Sequence, residues 1–248
     1  MSGIADWFRW LNVTYGINLS IFYDSFDGNR FLLGLKTTIW LSIGCIILSL
    51  VVGVVGAWLQ GSRSMVVRGL VRAYVEILRN TPPLIQLLFF YFALSTMLPL
   101  VSDGAGGREQ LVSNVGWAII AFSMFAGAHN IEIFRSGLDA VPSAMQEAAE
   151  SLGYSRLQIY LNIVFPLAFR ISLPALNNNL VNLVKTTTLA YAIAVPELLY
   201  ASAQIWSETL NVKEMMNILL VTYLLLVAVV VWGMGWLERR LRIPGYSV

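Results

Sequence analysis

The sequence predicts an all-α membrane protein with about five transmembrane helices. Of its 248 residues 57% are hydrophobic and only 12% are charged, whereas a soluble chain carries about 25% charged residues. Four windows without a charged residue are long enough to cross about 30 Å of hydrocarbon: 37–62, 80–102, 110–131 and 215–237. A fifth window, 171–196, contains Lys185 as its only charged residue. Five spans would place the two termini on opposite sides of the membrane.

The segment 1–30 precedes the first span and is predicted to lie at the periplasmic interface of the membrane. It contains four amphipathic aromatic residues that suit the headgroup level: Trp7, Phe8, Trp10 and Tyr15. It has no basic region followed by an apolar core, so it does not predict a cleaved signal peptide. We expect a short helix lying on the outer face or a re-entrant segment.

The positions of lysine and arginine predict the orientation, because positively charged loops stay in the cytoplasm. Ten basic residues would lie on one side: Arg63, Arg68, Arg72, Arg79, Arg135, Arg156, Arg170, Arg239, Arg240 and Arg242. Five would lie on the other: Arg9, Arg30, Lys36, Arg108 and Lys213. The N-terminus is therefore expected in the periplasm, and a tail at 241–248 in the cytoplasm. The membrane domain would cover 31–240.

The most polar stretch inside this domain is a loop at about 139–166, on the side predicted to be cytoplasmic. Residues 143–152 predict a short helix. Gly153 can end that helix in a left-handed conformation, and Ser155 can cap a second helix. The loop therefore predicts a helix-turn-helix projecting from the bilayer.

This loop, EAAESLGYSRLQIYLNIVFP, resembles the EAA loop in permease subunits of binding-protein-dependent ABC importers. The matching residues are Glu147, Ala148, Ala149, Gly153, Ile163 and Pro166. Phe165 departs from the leucine that the family prefers. The resemblance implies that the first helix docks in a cleft of the ATP-hydrolysing subunit and passes its motion to the membrane helices. The alternative is an ordinary amphipathic cytoplasmic loop.

Two further segments narrow the resemblance. Residues 74–86, YVEILRNTPPLIQ, resemble the start of the second span in polar amino-acid permeases, where Arg79 either anchors at the headgroups or has a gating role. The ending ERRLRIPG, 238–245, resembles the glutamate/aspartate branch. The resemblance covers about 31–245 and implies the transmembrane-domain fold of type I ABC importers.

The third span ends in a polar motif, 127–137, in which Glu132 and Arg135 match the family and His129 and Asn130 depart from it. Glu132 and Arg135 are three residues apart on one helical face, which favours a structural ion pair. His129 is either a satisfied structural group or part of a cavity lining.

The fourth span contains the candidate substrate path. Asn178, Asn182 and Lys185 follow i, i+4, i+7 spacing and share one face, and Thr186 follows them. Polar side chains in a membrane helix need partners, so this face should line a cavity or a helix interface. Amides, a hydroxyl and an ammonium suit an amino-acid zwitterion. Structural contacts between membrane helices are the equal alternative.

Several activities are excluded by motifs that the sequence lacks. It has no GxxxxGK[ST] loop, no nucleophile elbow and no internal repeat, so it predicts neither an enzyme nor an inverted-repeat transporter. One cysteine, Cys45, and one histidine predict no intramolecular disulfide and no metal site. A net charge of +2 does not predict a nucleic-acid partner.

The resemblance implies an inner-membrane permease that imports a polar amino acid by alternating access, with an acidic one as an option. Two ATPase subunits would hold ATP and magnesium, a similar or identical permease would complete the path, and a periplasmic protein would deliver the amino acid. The chain itself would need no cofactor. The alternatives are an ATP-independent channel or secondary transporter, coupled through Lys185 and Glu132, and a scaffolding protein without a path.

Overall fold

The computed structural model describes residues 2–102 and 107–241, and most of them are helical. Within these residues lie ten α-helices: α1 Ser2–Tyr15, α2 Ser25–Gln60, α3 Met65–Arg79, α4 Pro83–Leu88, α5 Asn114–Asp139, α6 Ser143–Ser151, α7 Arg156–Ile159, α8 Phe165–Thr186, α9 Leu198–Thr209 and α10 Val212–Leu241. Turns of π-helix cover Phe89–Leu94 and Tyr160–Val164, and 3₁₀-helix covers Ser20–Phe22, Ser95–Met97 and Thr187–Ile193. Residues 242–248 lie outside the described residues; they include Arg242, nearly all of the predicted tail 241–248 and the second half of the glutamate/aspartate-like ending 238–245.

Four helices have the length and composition to cross a membrane: Ser25–Gln60, Asn114–Asp139, Arg156–Ile193 and Val212–Leu241. The predicted span 80–102 is instead a shorter apolar helix, Pro83–Met97, about 22 Å long at 1.5 Å per residue. It ends early because Leu98 precedes a proline and is extended, with ψ 147°. The chain then forms an antiparallel hairpin of β1 (Leu100–Ser102) and β2 (Arg108–Gln110), in which Leu100 pairs with Gln110.

The described residues divide between two compact units. The first contains those within Met1–Cys45, Leu87–Ala121 and Val184–Ala228, and the second those within Ile46–Gln86, Phe122–Leu183 and Val229–Val248. Each unit is therefore built from three separate stretches of chain.

The first unit is organised around the break between the 3₁₀-helix and α9. Ala194 adopts a left-handed conformation, and Asn114 Nδ2 donates to its carbonyl at 2.9 Å. The buried Glu197 carboxylate then caps α9, accepting the backbone N–H groups of Leu199 and Tyr200 at 2.9 and 2.8 Å. Tyr223 donates its hydroxyl to the same carboxylate at 3.0 Å. Side chains thus satisfy the backbone groups that the break releases.

The second unit holds its helices together through glycines. A Cβ atom on Gly53 in α2 would lie 2.5 Å from Asn130 Cβ in α5, and one on Gly56 would lie 2.2 Å from Ile131 Cδ1. A Cβ on Gly137 in α5 would lie 2.7 Å from the Ala168 carbonyl in α8. Residues without a side chain let these backbones approach closely, as is common between membrane helices.

The N-terminal segment contains the helix α1, in agreement with the prediction of a short helix before the first span. The helix packs against the 3₁₀-helix Ser20–Phe22 through Phe8, whose ring stacks on Phe22 with centroids 4.5 Å apart. Trp7 and Trp10 are exposed on the other side. Helix α2 begins at Ser25, inside the segment that the sequence assigned to the periplasmic interface. A location at the outer headgroups stays a prediction.

Candidate functional site

The polar loop folds as the predicted helix-turn-helix. Helix α6 ends at Ser151, and Gly153 follows with φ +84°, a conformation that favours glycine. Ser155 caps α7 in a reciprocal arrangement: its Oγ accepts from the N–H of Gln158 at 3.4 Å, and its N–H donates to Gln158 Oε1 at 2.9 Å. The turn is therefore fixed at both ends by local chemistry.

The residues of the Glu-Ala-Ala motif face in different directions. Glu147 and Ala148 are exposed, whereas Ala149 is only 3% exposed. Ala149 belongs to a buried cluster with Val141, Ile159, Val164, Leu167 and Ala168, and Ile163 packs against this cluster. Ala148 is thus available to a partner, while Ala149 seats α6 on its own protein.

The tip of the loop carries exposed apolar side chains. Leu152 is 79% exposed, and Tyr154 and Leu157 are also exposed. These residues flank the turn at Gly153, next to the exposed Glu147. A loop end with several exposed apolar side chains is typical of a protein-interaction surface.

A turn of π-helix, Tyr160–Val164, joins this loop to α8. Single π turns inside helices are frequent at functional sites. Pro166 lies at the second position of α8, just after the π turn, and has no N–H to donate to the preceding turn. Helix α7, the π turn, α8 and the following 3₁₀-helix therefore form one continuous helical segment, Arg156–Ile193, with an irregular joint near its start.

A recess of about 470 Å³ lies in the second unit, beside α8. Its lining comes from α3, α5 and α8: Arg79, His129, Glu132, Ile133, Ser136, Gly137, Ile171, Ser172, Ala175, Asn179 and Asn182. A volume of this size is ordinary for a small-molecule pocket. Its lining also carries both signs of charge.

Hydrogen bonds fix two of the ionisable groups in the recess. Glu132 accepts from Gln60 Nε2 at 3.3 Å, and its other oxygen lies 3.4 Å from Arg135 Nη2. His129 Nδ1 lies 3.1 Å from the Phe125 carbonyl. Since a carbonyl can only accept, the Nδ1 atom carries the hydrogen and Nε2 is left as an acceptor in the neutral ring.

A chain of hydrogen bonds sets the orientation of the Asn179 amide. Ser49 donates its hydroxyl to the Ile46 carbonyl at 3.0 Å and accepts from Asn130 Nδ2 at 3.3 Å. Asn130 Oδ1 then accepts from Asn179 Nδ2 at 2.8 Å. Asn179 Nδ2 also donates to the Ala126 carbonyl at 3.0 Å. With both hydrogens used, the Asn179 amide offers its oxygen to the recess.

Only some of the residues predicted for the substrate path line the recess. His129 and Asn182 line the recess, whereas Asn178 is exposed on α8. Lys185 is exposed and Thr186 half-buried, and both belong to the first unit. A substrate role for these five residues stays a prediction.

Asn179 and Arg79 line the recess but were not among the predicted path residues. Asn179 stands between two other asparagines, and successive helical residues point about 100° apart, so the sequence alone did not indicate which one faces a cavity. Arg79 was predicted only to anchor or gate. Within 2–102 and 107–241, no group of three or more histidine, cysteine, aspartate or glutamate side chains could hold a metal ion.

The chain resembles known proteins over most of its length. Residues 49–243 match the family model described as binding-protein-dependent transport system inner membrane component. The histidine/lysine/arginine/ornithine transport system permease protein HisM of Salmonella typhimurium is 31% identical over 86% of this chain and 90% of its own. The probable glutamine ABC transporter permease protein GlnM of Bacillus subtilis is 30% identical over 91% of this chain and 98% of its own.

Solved structures share the fold. A crystal structure of an amino acid ABC transporter with histidines has a TM-score of 0.75 at 25% identity, covering 86% of this chain and 94% of the other. An inward-facing MetNI methionine ABC transporter has a TM-score of 0.61 at 19% identity, covering 87% and 95%. The second likeness is evidence for the fold alone.

Proposed function

Because this chain belongs to the family of binding-protein-dependent transport system inner membrane components, we propose that it is the permease subunit of an ATP-driven importer of amino acids. The observation that carries the proposal is the exposed face of α6, which presents Glu147 and Ala148 beside the apolar tip at Leu152. The amino-acid substrate is supported by the relatives HisM and GlnM, which are described as histidine/lysine/arginine/ornithine and probable glutamine permeases. The chain is a multi-pass protein of the inner membrane.

The partner on this face is an ATPase pair, which binds ATP and Mg²⁺. Closure of the pair on ATP would draw two such loops together. Since Ala149 seats α6 against the cluster that includes Leu167 of α8, displacement of α6 would move the start of α8. Transport then follows because the ATPase pair binds ATP more tightly in one conformation of the assembly than in the other. A periplasmic binding protein delivers the amino acid.

The recess beside α8 suits a polar amino acid. The Arg79 guanidinium can donate to a carboxylate, while the Asn179 oxygen and the Glu132 carboxylate can accept from an ammonium group. These groups hold the two charges that all amino acids share. An acidic side chain remains an option, based on the resemblance of 238–245 to the glutamate/aspartate branch.

A second permease, similar or identical, completes the path. Asn178, Asn182 and Lys185 are all exposed, and their spacing puts them on one face of a helix that is long enough to cross the membrane. A polar face of this kind cannot lie against lipid. It would instead meet the partner permease or the water-filled path.

The test is uptake of labelled amino acids into vesicles that contain the assembly purified through this chain. We expect an ATPase to copurify, uptake to require internal ATP, and Glu147→Ala to abolish uptake without reducing the amount of inserted protein. A matched control is Glu76→Ala, since Glu76 is an exposed acid outside the loop. Uptake that continues without ATP would favour a channel or secondary transporter instead. Inserted protein without any uptake would favour a scaffold.

A further inference from the structure

An apolar groove of about 250 Å³ lies in the second unit, next to the joint between α8 and the polar loop at about 139–166, the coupling loop of the proposed function. The groove is walled by the end of α2, by α5 and by the helical segment after α7. Its largest walls are Trp58, Phe134, Leu161, Phe165 and Phe169. Trp58 is 68% exposed, and Leu161 and Phe165 are exposed as well. Three of the four candidate spans thus present an open apolar surface here.

The groove continues into a second recess of about 490 Å³. The two share Ala57, Trp58, Leu138 and Tyr160, and the second adds Gly61 and Ser62 beyond the end of α2. The apolar groove therefore leads past the rings of Trp58 and Tyr160 to the backbone of Gly61 and the hydroxyl of Ser62. Tryptophan and tyrosine prefer this boundary between hydrocarbon and headgroups.

A positive charge lies beside the second recess, the one that includes Ser62. Arg68 Nη1 donates to the backbone carbonyls of Ser62 and Arg63 at 2.7 and 3.1 Å. The remaining Nε and Nη2 groups of this guanidinium supply further donors in the fork geometry that matches a phosphate. Arg63 and Arg72 are also exposed near it in the sequence. The charge pattern is complementary to an anion.

We propose that the groove and the second recess together bind an anionic glycerophospholipid. The lipid belongs to the leaflet on the side of the coupling loop. One acyl chain lies against Phe134, Phe165 and Phe169, and the phosphate lies at Arg68. A lipid fits better than a protein segment, because the groove opens on the faces of membrane-spanning helices and ends in a cation at an aromatic boundary.

The site has a consequence for transport, which rests on the proposed function. Tyr160 also lines a third recess with Gln146, Glu150 and Arg156 of the coupling loop. A lipid against one side of Tyr160 would hold the π turn between the loop and α8 in place. We therefore expect ATP-coupled uptake to fall when the anionic lipid is removed. The binding itself does not depend on this role.

The test is native mass spectrometry of the intact assembly, exchanged into phosphatidylglycerol or phosphatidylcholine and released from detergent. We expect about tenfold tighter retention of phosphatidylglycerol, as one charge-assisted contact provides. Trp58→Ala should weaken retention of both lipids, since it removes an apolar wall that either acyl chain would contact. Arg68→Gln should lose the preference for phosphatidylglycerol, and Arg68→Lys should keep most of it. Matched controls are Trp40→Ala and Lys36→Gln, which change exposed residues of α2 away from the groove.

Equal retention of the two lipids by the unaltered assembly would overturn the proposal, whatever the variants do. It would also be overturned if Lys36→Gln lost the preference as fully as Arg68→Gln. If a photoactivatable phosphatidylglycerol labelled the partner permease but never the groove, the groove would be filled by the partner permease and the proposal would be wrong. If the lipid bound as expected and uptake were unaffected by it, only the coupling role would fail.

Discussion

At the scale of single residues, Asn130 has a larger role than its position in the motif indicates. It is fully buried and connects Ser49 in α2 with Asn179 in α8, so one amide joins three helices. Removal of that amide would leave polar atoms of both neighbours without their partner. A buried polar group left in this way costs about 1–3 kcal/mol.

We predict that Asn130→Leu lowers the free energy of unfolding by about 1–3 kcal/mol. Asn178→Leu is the matched control, because Asn178 is an exposed asparagine and its replacement should change stability by less than about 0.5 kcal/mol. Thermal unfolding of the purified variants in one detergent measures both. Equal unfolding midpoints for the two variants would contradict the role given to Asn130.

Glycine packing gives a second prediction at this scale. Gly53→Ala places a Cβ atom 2.5 Å from Asn130 Cβ and 3.3 Å from its carbonyl carbon, so we expect destabilisation of about 1–3 kcal/mol. Gly69→Ala in α3 has no neighbour within 4 Å and should instead stabilise by up to about 1 kcal/mol through helix propensity. The same unfolding measurement should show shifts of opposite sign.

At the scale of elements, α6 has two faces that can be tested separately. Ala148→Leu adds bulk to the exposed face, so we predict that it blocks docking and ATP-coupled uptake but leaves the unfolding midpoint unchanged. Ala149→Leu adds the same bulk inside the buried cluster and should lower stability by about 1–3 kcal/mol. Uptake, ATPase retention and thermal unfolding distinguish the two outcomes. Loss of uptake with an unchanged midpoint in Ala149→Leu would reverse the assignment of the faces.

Local chemistry made α6, the turn and α7 predictable, because Gly153 and Ser155 act on their immediate neighbours. The end of the apolar helix within 80–102 was harder to predict, since hydropathy continues past the residue where the helix stops. Pro99 was the available signal. The recess could not be predicted in full, because the side of α8 that faces it depends on packing against α3 and α5.

At the scale of the whole molecule, the orientation predicts which positions a membrane-impermeant maleimide can reach. The chain offers one background thiol, Cys45, which is buried, so a Cys45→Ala background removes it. In that background we expect a cysteine at Val13 to be labelled in intact spheroplasts and one at Leu152 only after permeabilisation. Both positions are strongly exposed, so accessibility of the side chain does not limit labelling. The reverse pattern would overturn the proposed orientation.

The division of each unit into three distant stretches of chain has a consequence for biogenesis. Phe31 in α2 belongs to the same buried cluster as Leu198, Ile205 and Met215. The ribosome therefore delivers α2 to the bilayer long before its packing partners exist. Insertion of early helices can precede their association. We expect nascent chains that stop before α9 to be inserted but unpacked, and thus exposed to membrane proteases until the last helices are made.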